Sequence, residues 1–435
     1  MILALGMIMS TDALKTAPTV ALNVGAWHFY GMWVLGGLLS MIGALCYVEM
    51  ATAFPDPGGD YNFLRKAYGQ EVGLLFAWSR FSIMHTGWMA LMAFMFADYA
   101  SALIPMSHAG QTLFALVTVS ALVGLNLLHV RAGFLTQAGL VGLVTVGFAS
   151  VVVAVIKLGL AGQIPHAAPI AAAAAHTPSL SKISVALIYI FLAYGGWSDS
   201  ATLSAEVRSD TRGMLITSIG SLAVLMVIYL ALNGALITGL GAEGLARSTA
   251  PAADLLGRAF GKTGQGLIVA VVGVSAIASI NSTLIVGART TFAAARDVPA
   301  LRALGRWDTA RGVPARAVLA EGAVALLLIG VASFTASGFN AMVDYMTPVY
   351  WFFMTLSIGA QMILRHRFPH TPRPVRTPFY PLFPITFLVI SIYMFGEGLA
   401  SLGKGALFGA GVMGVGLVLV GVLRLRSRAL AAASG

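Results

Sequence analysis

The chain alternates between long apolar stretches and short polar loops. Twelve apolar segments can be traced, and most hold the roughly 20 residues that an α-helix needs to cross a hydrocarbon core of about 30 Å. This pattern predicts an all-α membrane protein with twelve transmembrane helices. The approximate limits of the segments are 2–25, 31–54, 71–104, 111–130, 133–160, 182–206, 213–240, 263–294, 315–335, 339–364, 379–401 and 404–424.

Two of these segments are interrupted near their middle. Residues 9–18 in the first read MSTDALKTAP, and residues 192–199 in the sixth read LAYGGWSD. Charged side chains at membrane depth are costly and usually mark a pathway or a site, and proline and glycine weaken a helix. We therefore expect both helices to be unwound at mid-membrane and to hold a small polar ligand between them.

The two interruptions lie five segments apart, which is typical of an inverted repeat. We assign 1–160 to a first repeat of helices one to five, 182–366 to a second repeat of helices six to ten, and 379–424 to helices eleven and twelve. A short helix over 251–261 is predicted before the eighth segment, because proline favours a helix start and glycine a helix end.

Composition and charge agree with a membrane protein and give it an orientation. Of 435 residues, 58% are hydrophobic and 10% are charged, whereas soluble domains carry about 25% charged residues. With the N-terminus inside, the inner loops hold eighteen of the 26 Lys and Arg residues. This asymmetry favours a cell (plasma or inner) membrane protein with both termini cytoplasmic. The net charge of +10 then reflects these loops rather than nucleic-acid binding.

Other sequence signals exclude several classes. The first segment lacks the basic start and the uninterrupted apolar centre of a cleaved signal peptide. The single cysteine, Cys46, excludes an internal disulfide. The sequence has no His-Glu-x-x-His, Gly-x-Ser-x-Gly or Walker-type motif and no Cys/His cluster. We therefore expect a protein that is not an enzyme and has no cofactor or metal centre.

Four patches of the sequence carry a family resemblance. The most specific begins with GALCYVEMATAFP at 43–55 and continues with GGDY at 58–61 and LRKAYG at 64–69. The other three are AYGGW at 193–197 with AEV at 205–207, SAIASIN at 275–281 with GAR at 287–289 and ARD at 295–297, and the dipeptides YW at 350, LR at 364, RP at 373 and YP at 380. Together they resemble the amino acid–polyamine–organocation (APC) superfamily of amino acid permeases, over essentially the whole chain.

The resemblance implies a LeuT-like five-plus-five inverted repeat with discontinuous helices one and six. It also implies transport of amino acids or related small amines by alternating access. In relatives, main-chain donors of a Gly-x-Gly stretch in helix one hold the substrate carboxylate, and carbonyls of helix six hold its ammonium group. Here Ser10, Thr11 and Asp12 stand in place of Gly-x-Gly. The fifth segment, at 142–147, also lacks the lysine that many relatives link to proton coupling.

The candidate binding residues of the first segment are Ser10, Thr11, Asp12, Ala13, Leu14 and Lys15. Asp12 either holds a substrate amine or carries a coupling proton, and Lys15 either replaces the missing lysine or anchors a carboxylate. The plainer alternative is a local ion pair between the two. Because Asp12 would repel a carboxylate, we expect a cationic or carboxylate-poor substrate, with a neutral amino acid bound through Lys15 as the alternative.

The candidate binding residues of the sixth segment are Ala193, Tyr194, Gly195, Gly196 and Trp197. The two glycines either open the helix or only permit close packing, and Trp197 is either an aromatic gate or an ordinary packed side chain. We expect His85, Trp88 and Ser279 to line the same pocket, with a structural hydrogen bond as the alternative role of His85.

Other polar residues inside the segments have competing interpretations. Arg80 is expected to extend toward the inner surface. The polar residues of the eighth segment either bind a sodium ion or hydrogen-bond to neighbouring helices; they are Ser275, Ser279, Asn281, Ser282 and Thr283.

The candidate coupling or gating groups are Asp12, Lys15, Asp199, Glu49 and Glu206. For Asp199 the alternative is a cap on the second half of helix six. Glu49 and Glu206 lie at inner helix ends, where they either contact inner-loop arginines or are solvated.

The sequence thus predicts a secondary active transporter, a symporter or an exchanger coupled to protons. The expected partners are a small amino acid or amine, the lipid bilayer and the proton. The alternative is an amino acid-binding membrane sensor or accessory subunit without net transport.

Overall fold

The computed structural model describes residues 11–56, 58–128, 134–165, 178–198, 211–297, 302–308, 312–401 and 403–434. These residues form thirteen α-helices and one π-helical turn, and their β-type pairing is confined to an isolated bridge between Asp308 and Val313. The helices are α1 (Ala13–Ala53), α2 (Asp60–Tyr68), α3 (Gln70–Ser79), α4 (Thr86–Ser101), α5 (His108–Leu127), α6 (Phe134–Leu160), α7 (Leu180–Ala193), α8 (Thr211–Arg247), α9 (Pro251–Asp297), α10 (Ala315–Ala332), α11 (Gly338–Arg367), α12 (Leu382–Ser401) and α13 (Gly403–Ser434).

Nine helices within the described residues are long and apolar enough to cross a membrane. Large apolar side chains such as Leu22, Leu160 and Val418 are exposed on the surface of the bundle, as expected of a surface that faces lipid. The protein is therefore an all-α, multi-pass membrane protein, as the apolar pattern predicts. The third predicted segment is divided by the π-helical turn, and α7 has 14 residues, so neither is among the nine.

Three glycines with positive φ interrupt the long helices. Gly25 has a φ of 67°, Gly241 of 73° and Gly261 of 64°, values that residues with a Cβ rarely adopt. Gly261 separates a short helix, 251–260, from the long part of α9, 262–297. The predicted short helix before the eighth segment is thus confirmed.

Gly25 divides α1 into two arms, 13–24 and 26–53. Thr19 of the first arm meets Tyr189 of α7, and Gly36 of the second arm meets the adjacent Ile190. Positions 17 residues apart therefore lie at the same level, so the chain reverses direction at Gly25. The two arms form a helical hairpin.

The packed core lies where α1 meets α7 and α8 and where α4 meets α9 and α11. Glycines allow the first of these approaches. A Cβ on Gly36 would lie 2.3 Å from the Ile190 side chain, and a Cβ on Gly43 would lie 2.7 Å from the Trp197 ring. Since no side chain fits at such distances, these positions fix the close packing of the hairpin on α7 and the residues after it.

The third predicted segment is one helix with a π-helical turn, Arg80–His85, between α3 and α4. A π turn closes hydrogen bonds between residues five apart, so that residues i and i+5 come above one another. The side chains of Arg80 and His85 are brought together in this way. Such turns occur frequently at functional sites.

Candidate functional site

The first interruption ends at Asp12. Thr11 and Asp12 form a turn, and the helix begins at Ala13, whose N–H donates to Asp12 Oδ1 at 3.0 Å. The N–H groups of Leu14 and Lys15 donate to the carbonyls of Thr11 and Asp12 at 3.0 and 2.8 Å. Asp12 is fully buried, so a carboxylate caps this helix at the position where the helix dipole favours a negative charge.

The predicted unwinding extends no further along the chain than Asp12. Ala13, Leu14 and Lys15 are helical, and Pro18 lies inside the helix, in its second turn. Ser10 lies outside the described residues.

Lys15 is bound to residues of other helices. Its Nζ lies 2.6 Å from Asp98 Oδ2 of α4 and also donates to the main-chain carbonyl of Thr249. The ammonium group sits 5.6 Å from the centre of the Phe339 ring of α11. Lys15 therefore joins the start of α1 to α4, to the segment before the 251–260 helix and to α11. Lys15 pairs with Asp98 rather than with Asp12, its local partner in the alternative interpretation of the sequence.

The second interruption follows α7. The helix ends at Ala193, and Tyr194, Gly195 and Gly196 form a turn in which Gly196 has a φ of 86°. The Oη of Tyr229 in α8 donates to the carbonyl of Ala193 at 3.0 Å. The carbonyl of Ala193 thus emerges at a break in the backbone and takes a donor from outside its own helix.

Tyr194 and Trp197 pack into an aromatic cluster. Tyr194 Oη donates to the carbonyl of Trp33 at 3.2 Å. The Trp197 ring packs edge-on against Tyr47 of α1 and Phe387 of α12, at centroid distances of 5.2 and 6.0 Å. With 2% of its surface exposed, Trp197 has the surroundings of a packed aromatic, the plainer of the two interpretations.

Two contacts connect the polar residues of the other predicted wall. Thr11 Oγ1 donates to Ser275 Oγ at 3.2 Å, and Trp88 Nε1 donates to Ser279 Oγ at 2.9 Å. Ser275 and Ser279 are one helical turn apart on α9. The start of α1, α4 and α9 therefore meet along one polar line, as expected of residues that line a common site.

His85 and Arg80 form a hydrogen bond to each other inside the bundle. Arg80 Nε donates to His85 Nε2 at 3.0 Å, and the Arg80 guanidinium also lies over the Phe76 ring. The expectation that Arg80 extends toward the inner surface stays a prediction. The π-helical turn directs the guanidinium along its own helix, toward His85.

Glu49 is the centre of a buried network at the other end of α1. Its Oε2 accepts from Thr377 N at 2.7 Å and from Gln361 Nε2 at 3.2 Å, and Arg365 Nη1 lies 3.4 Å away. Arg373 Nε approaches Oε1 at 3.5 Å. The predicted contact of Glu49 with inner-loop arginines is present, whereas Asp199 and Glu206 lie outside the described residues.

Besides the hydroxyls of Ser275 and Ser279, the amide of Asn281 and the hydroxyl of Ser282 in the suggested sodium site have protein partners. Asn281 Oδ1 accepts from Asn126 Nδ2 at 2.6 Å, and Ser282 Oγ donates to the carbonyl of Ser279 at 3.1 Å. These contacts agree with the alternative, in which the polar residues of α9 bond to their own backbone and to a neighbouring helix.

Comparison with known proteins decides the family. A profile described as amino acid permease matches residues 1–417, nearly the whole chain. The chain belongs to the amino acid permease family.

Curated proteins similar to this permease are amino acid transporters. The b(0,+)-type amino acid transporter 1 of Mus musculus is 23% identical over 370 residues, which cover 83% of this chain and 73% of that protein. The corresponding protein of Homo sapiens is 24% identical over 373 residues, with the same shares. The large neutral amino acids transporter small subunit 2 of Mus musculus is 24% identical over 376 residues, 83% of this chain and 68% of that protein.

These comparisons confirm the resemblance to APC permeases and the expectation that the protein is not an enzyme. They support amino acid transport as the activity of the permease.

Sequence reasoning missed two carboxylates of the permease that lie in its helices. Asp98 is the single acidic residue of α4, and Glu321 is the single acidic residue of α10. A search for isolated carboxylates in apolar helices would have found both, because such residues are rare in membranes and usually functional. Their partners, Lys15 and Thr291, become visible only in the folded structure.

Proposed function

We propose that this permease is a secondary active transporter that carries a cationic amino acid or a related amine by alternating access. Its substrate binds between the start of α1 and the break after α7, next to the polar line formed by α4 and α9. Transport is by symport or exchange, with the proton as the coupling ion. The proposal includes the twelve-helix, five-plus-five arrangement and the cytoplasmic termini that the sequence predicts.

The observation that carries the substrate class is the cap at Asp12. A helix N-terminus at such a break is a ready site for an anion, but here the Asp12 carboxylate already accepts from Ala13 N–H. A second carboxylate at that place would meet a like charge at close range. An ammonium or guanidinium group gains from the same carboxylate, so a cationic substrate fits best.

The neutral amino acid held through Lys15 is the weaker alternative. The Lys15 ammonium group is held by Asp98 and by the Thr249 carbonyl. Binding a substrate carboxylate would require one of these contacts to break.

Uptake into proteoliposomes tests the function itself. Reconstituted protein is offered radiolabelled cationic amino acids, neutral amino acids and polyamines, with and without proton and sodium gradients. We expect saturable uptake that is strongest for cationic compounds. Binding to the detergent-purified protein without any flux would instead identify a sensor or accessory subunit, and preference for neutral amino acids would refute the substrate class.

Asp12→Asn tests the role of the carboxylate. Asparagine is as good a helix cap as aspartate, so the free energy of unfolding should change by less than about 0.5 kcal/mol. Uptake of cationic substrates should fall at least about tenfold, because one charge-assisted contact to the substrate is lost. Asp254→Asn is the matched control, because Asp254 is an exposed residue in the first turn of the 251–260 helix. Wild-type uptake with an unchanged pH profile in Asp12→Asn would reduce Asp12 to a cap.

A further inference from the structure

Glu321 is a fully buried carboxyl group in α10, one that the substrate site does not use. It lies six positions after Ala315, about 9 Å along the helix axis. Thr291 Oγ1 of α9 donates to its Oε1 at 2.9 Å. Among the residues that the structure describes, Oε2 has no hydrogen-bond partner. A proton can therefore bind to Oε2 without displacing an existing hydrogen bond.

The backbone of α9 makes room for this carboxyl group. A Cβ on Gly287 would lie 2.8 Å from both Glu321 oxygens. Only glycine fits at that distance, so the carboxyl group packs directly on the α9 main chain. Gly287 and Thr291 are four residues apart and thus lie on the same helix face. One face of α9 therefore both accommodates the carboxyl group and donates to it.

An electrostatic interaction and two hydrogen bonds lead from Glu321 toward the candidate substrate site. The Arg80 guanidinium is close enough to act electrostatically on Glu321, and its Nε donates to His85 Nε2. Because His85 Nε2 is the acceptor, the neutral ring carries its proton on Nδ1. Three residues further, on the same face of the helix, Trp88 donates to Ser279 of the polar line.

The other helices around Glu321 bring no further charge to it in the described part of the chain. His108, the one titratable residue of α5, bonds to the Ser333 carbonyl at the opposite end of α10. Asp98, the one charged residue of α4, is held by Lys15. Arg289 of α9 is exposed. Arg80 is thus the charged neighbour of Glu321.

We propose that Glu321 is the proton-carrying group of this transporter and that Arg80 and His85 are positioning residues that connect it to the Trp88–Ser279 contact. One proton binds to the Glu321 carboxylate on one side of the membrane and leaves it on the other. The charge on Glu321 changes its attraction for the Arg80 guanidinium, and Arg80 hydrogen-bonds to His85, three residues before Trp88 on the same helix. This inference rests on the transport function proposed above.

The test compares two transport modes in the same proteoliposomes. Counterflow, in which labelled substrate exchanges against unlabelled substrate, needs no net proton movement. Net uptake driven by an imposed proton gradient requires net proton movement. In Glu321→Gln, which keeps the size of the side chain, we expect counterflow within about twofold of wild type and loss of the stimulation by the gradient. Gradient stimulation equal to wild type in this variant would overturn the proposal.

The matched control is Glu397→Gln in α12, where both carboxylate oxygens already accept hydrogen bonds, from Tyr393 and from Ser401. This variant should keep its gradient stimulation. If Glu321→Gln does not give folded protein, Thr291→Val keeps the carboxyl group and removes its donor. The pH midpoint of gradient-driven uptake should then shift, and an unchanged profile would contradict the proposal.

Failure of the inference and failure of the proposed function give different results. Wild-type protein that performs counterflow but shows no response to a proton gradient refutes proton coupling, and with it the role of Glu321, and leaves the transport of substrate standing. Wild-type protein without counterflow or uptake refutes transport itself.

Discussion

The two ends of the helical hairpin are held by contacts of different kinds. At the start of α1, the ammonium group of Lys15 meets one carboxylate, Asp98, and one carbonyl, Thr249. At the end of α1, Glu49 is approached by a main-chain N–H, an amide and two guanidinium groups. The first contact joins three groups, whereas the second organises a loop around one buried carboxylate.

The difference predicts which end separates more readily. Opening the Lys15 end exposes one ion pair, and Asp98 is already 15% exposed to solvent. Opening the Glu49 end would strip several donors from a carboxylate that is 2% exposed, and uncompensated buried charges are costly. We infer that the Lys15 contact is the more easily released of the two and that the Glu49 network is the firmer closure.

The largest expected effect is that of Glu49→Ala. It leaves two arginines and the Thr377 N–H without their common acceptor, so the free energy of unfolding should fall by about 3–5 kcal/mol. Thermal unfolding of the purified protein in detergent measures this loss. Glu71→Ala is the control, since Glu71 pairs with Arg424 on the exposed surface and should cost less than about 1 kcal/mol. Equal losses in the two variants would remove the distinction between the two ends.

Lys15→Met should release the contact between the start of α1 and Asp98 of α4. It leaves the Asp98 carboxylate without its cation, which should destabilise the contact between the start of α1 and α4 by about 2 kcal/mol. A cysteine introduced at Ala250, which is 3% exposed, should then react several times faster with a membrane-impermeant maleimide. The native Cys46 is buried and serves as the internal reference.

The double variant Lys15→Met/Asp98→Asn is the matched control for this contact. With the charge removed on both sides, labelling should return most of the way to the wild-type rate. Equal labelling rates of the cysteine at position 250 with and without Lys15→Met would show that the ion pair does not keep this position covered.

Lys157→Met should have the smallest effect. Lys157 Nζ donates to the Ala259 carbonyl at 2.6 Å and lies 4.5 Å from the centre of the Phe260 ring. Its loss should free the end of the 251–260 helix at a cost of about 1 kcal/mol, or about fivefold faster amide exchange. Hydrogen–deuterium exchange measures this, with the exposed Lys182→Met as control. An unchanged rate of amide exchange at 251–260 in Lys157→Met would mean that Lys157 packs on this helix without stabilising it.

Local patterns in the sequence were enough to predict much of the fold. Apolar length predicted the membrane helices, and paired glycines predicted the break after Ala193. The position of Glu49 at a helix end near basic loops predicted its arginine contacts. In each case the signal lies within one segment or beside it, so no knowledge of the helix arrangement is needed.

The remaining features depend on the arrangement of helices in space. Lys15 was singled out from the sequence, but Asp98 lies 83 positions away, and only the folded structure brings the two side chains together. The Arg80–His85 hydrogen bond was not predicted, because a π-helical turn has no clear sequence signature and its extra residue redirects the side chain. The fit of Glu321 against Gly287 is likewise a property of two packed helices.

The turn at Gly25 lies at different distances from the two contacts that hold the hairpin. Lys15 lies ten residues before this pivot and Glu49 lies 24 residues after it, which correspond to about 15 and 36 Å of helix. A rotation of the hairpin about Gly25 therefore moves Glu49 further than it moves Lys15. Because the Lys15 and Glu49 contacts belong to one hairpin, a movement of that hairpin about Gly25 displaces both contacts together.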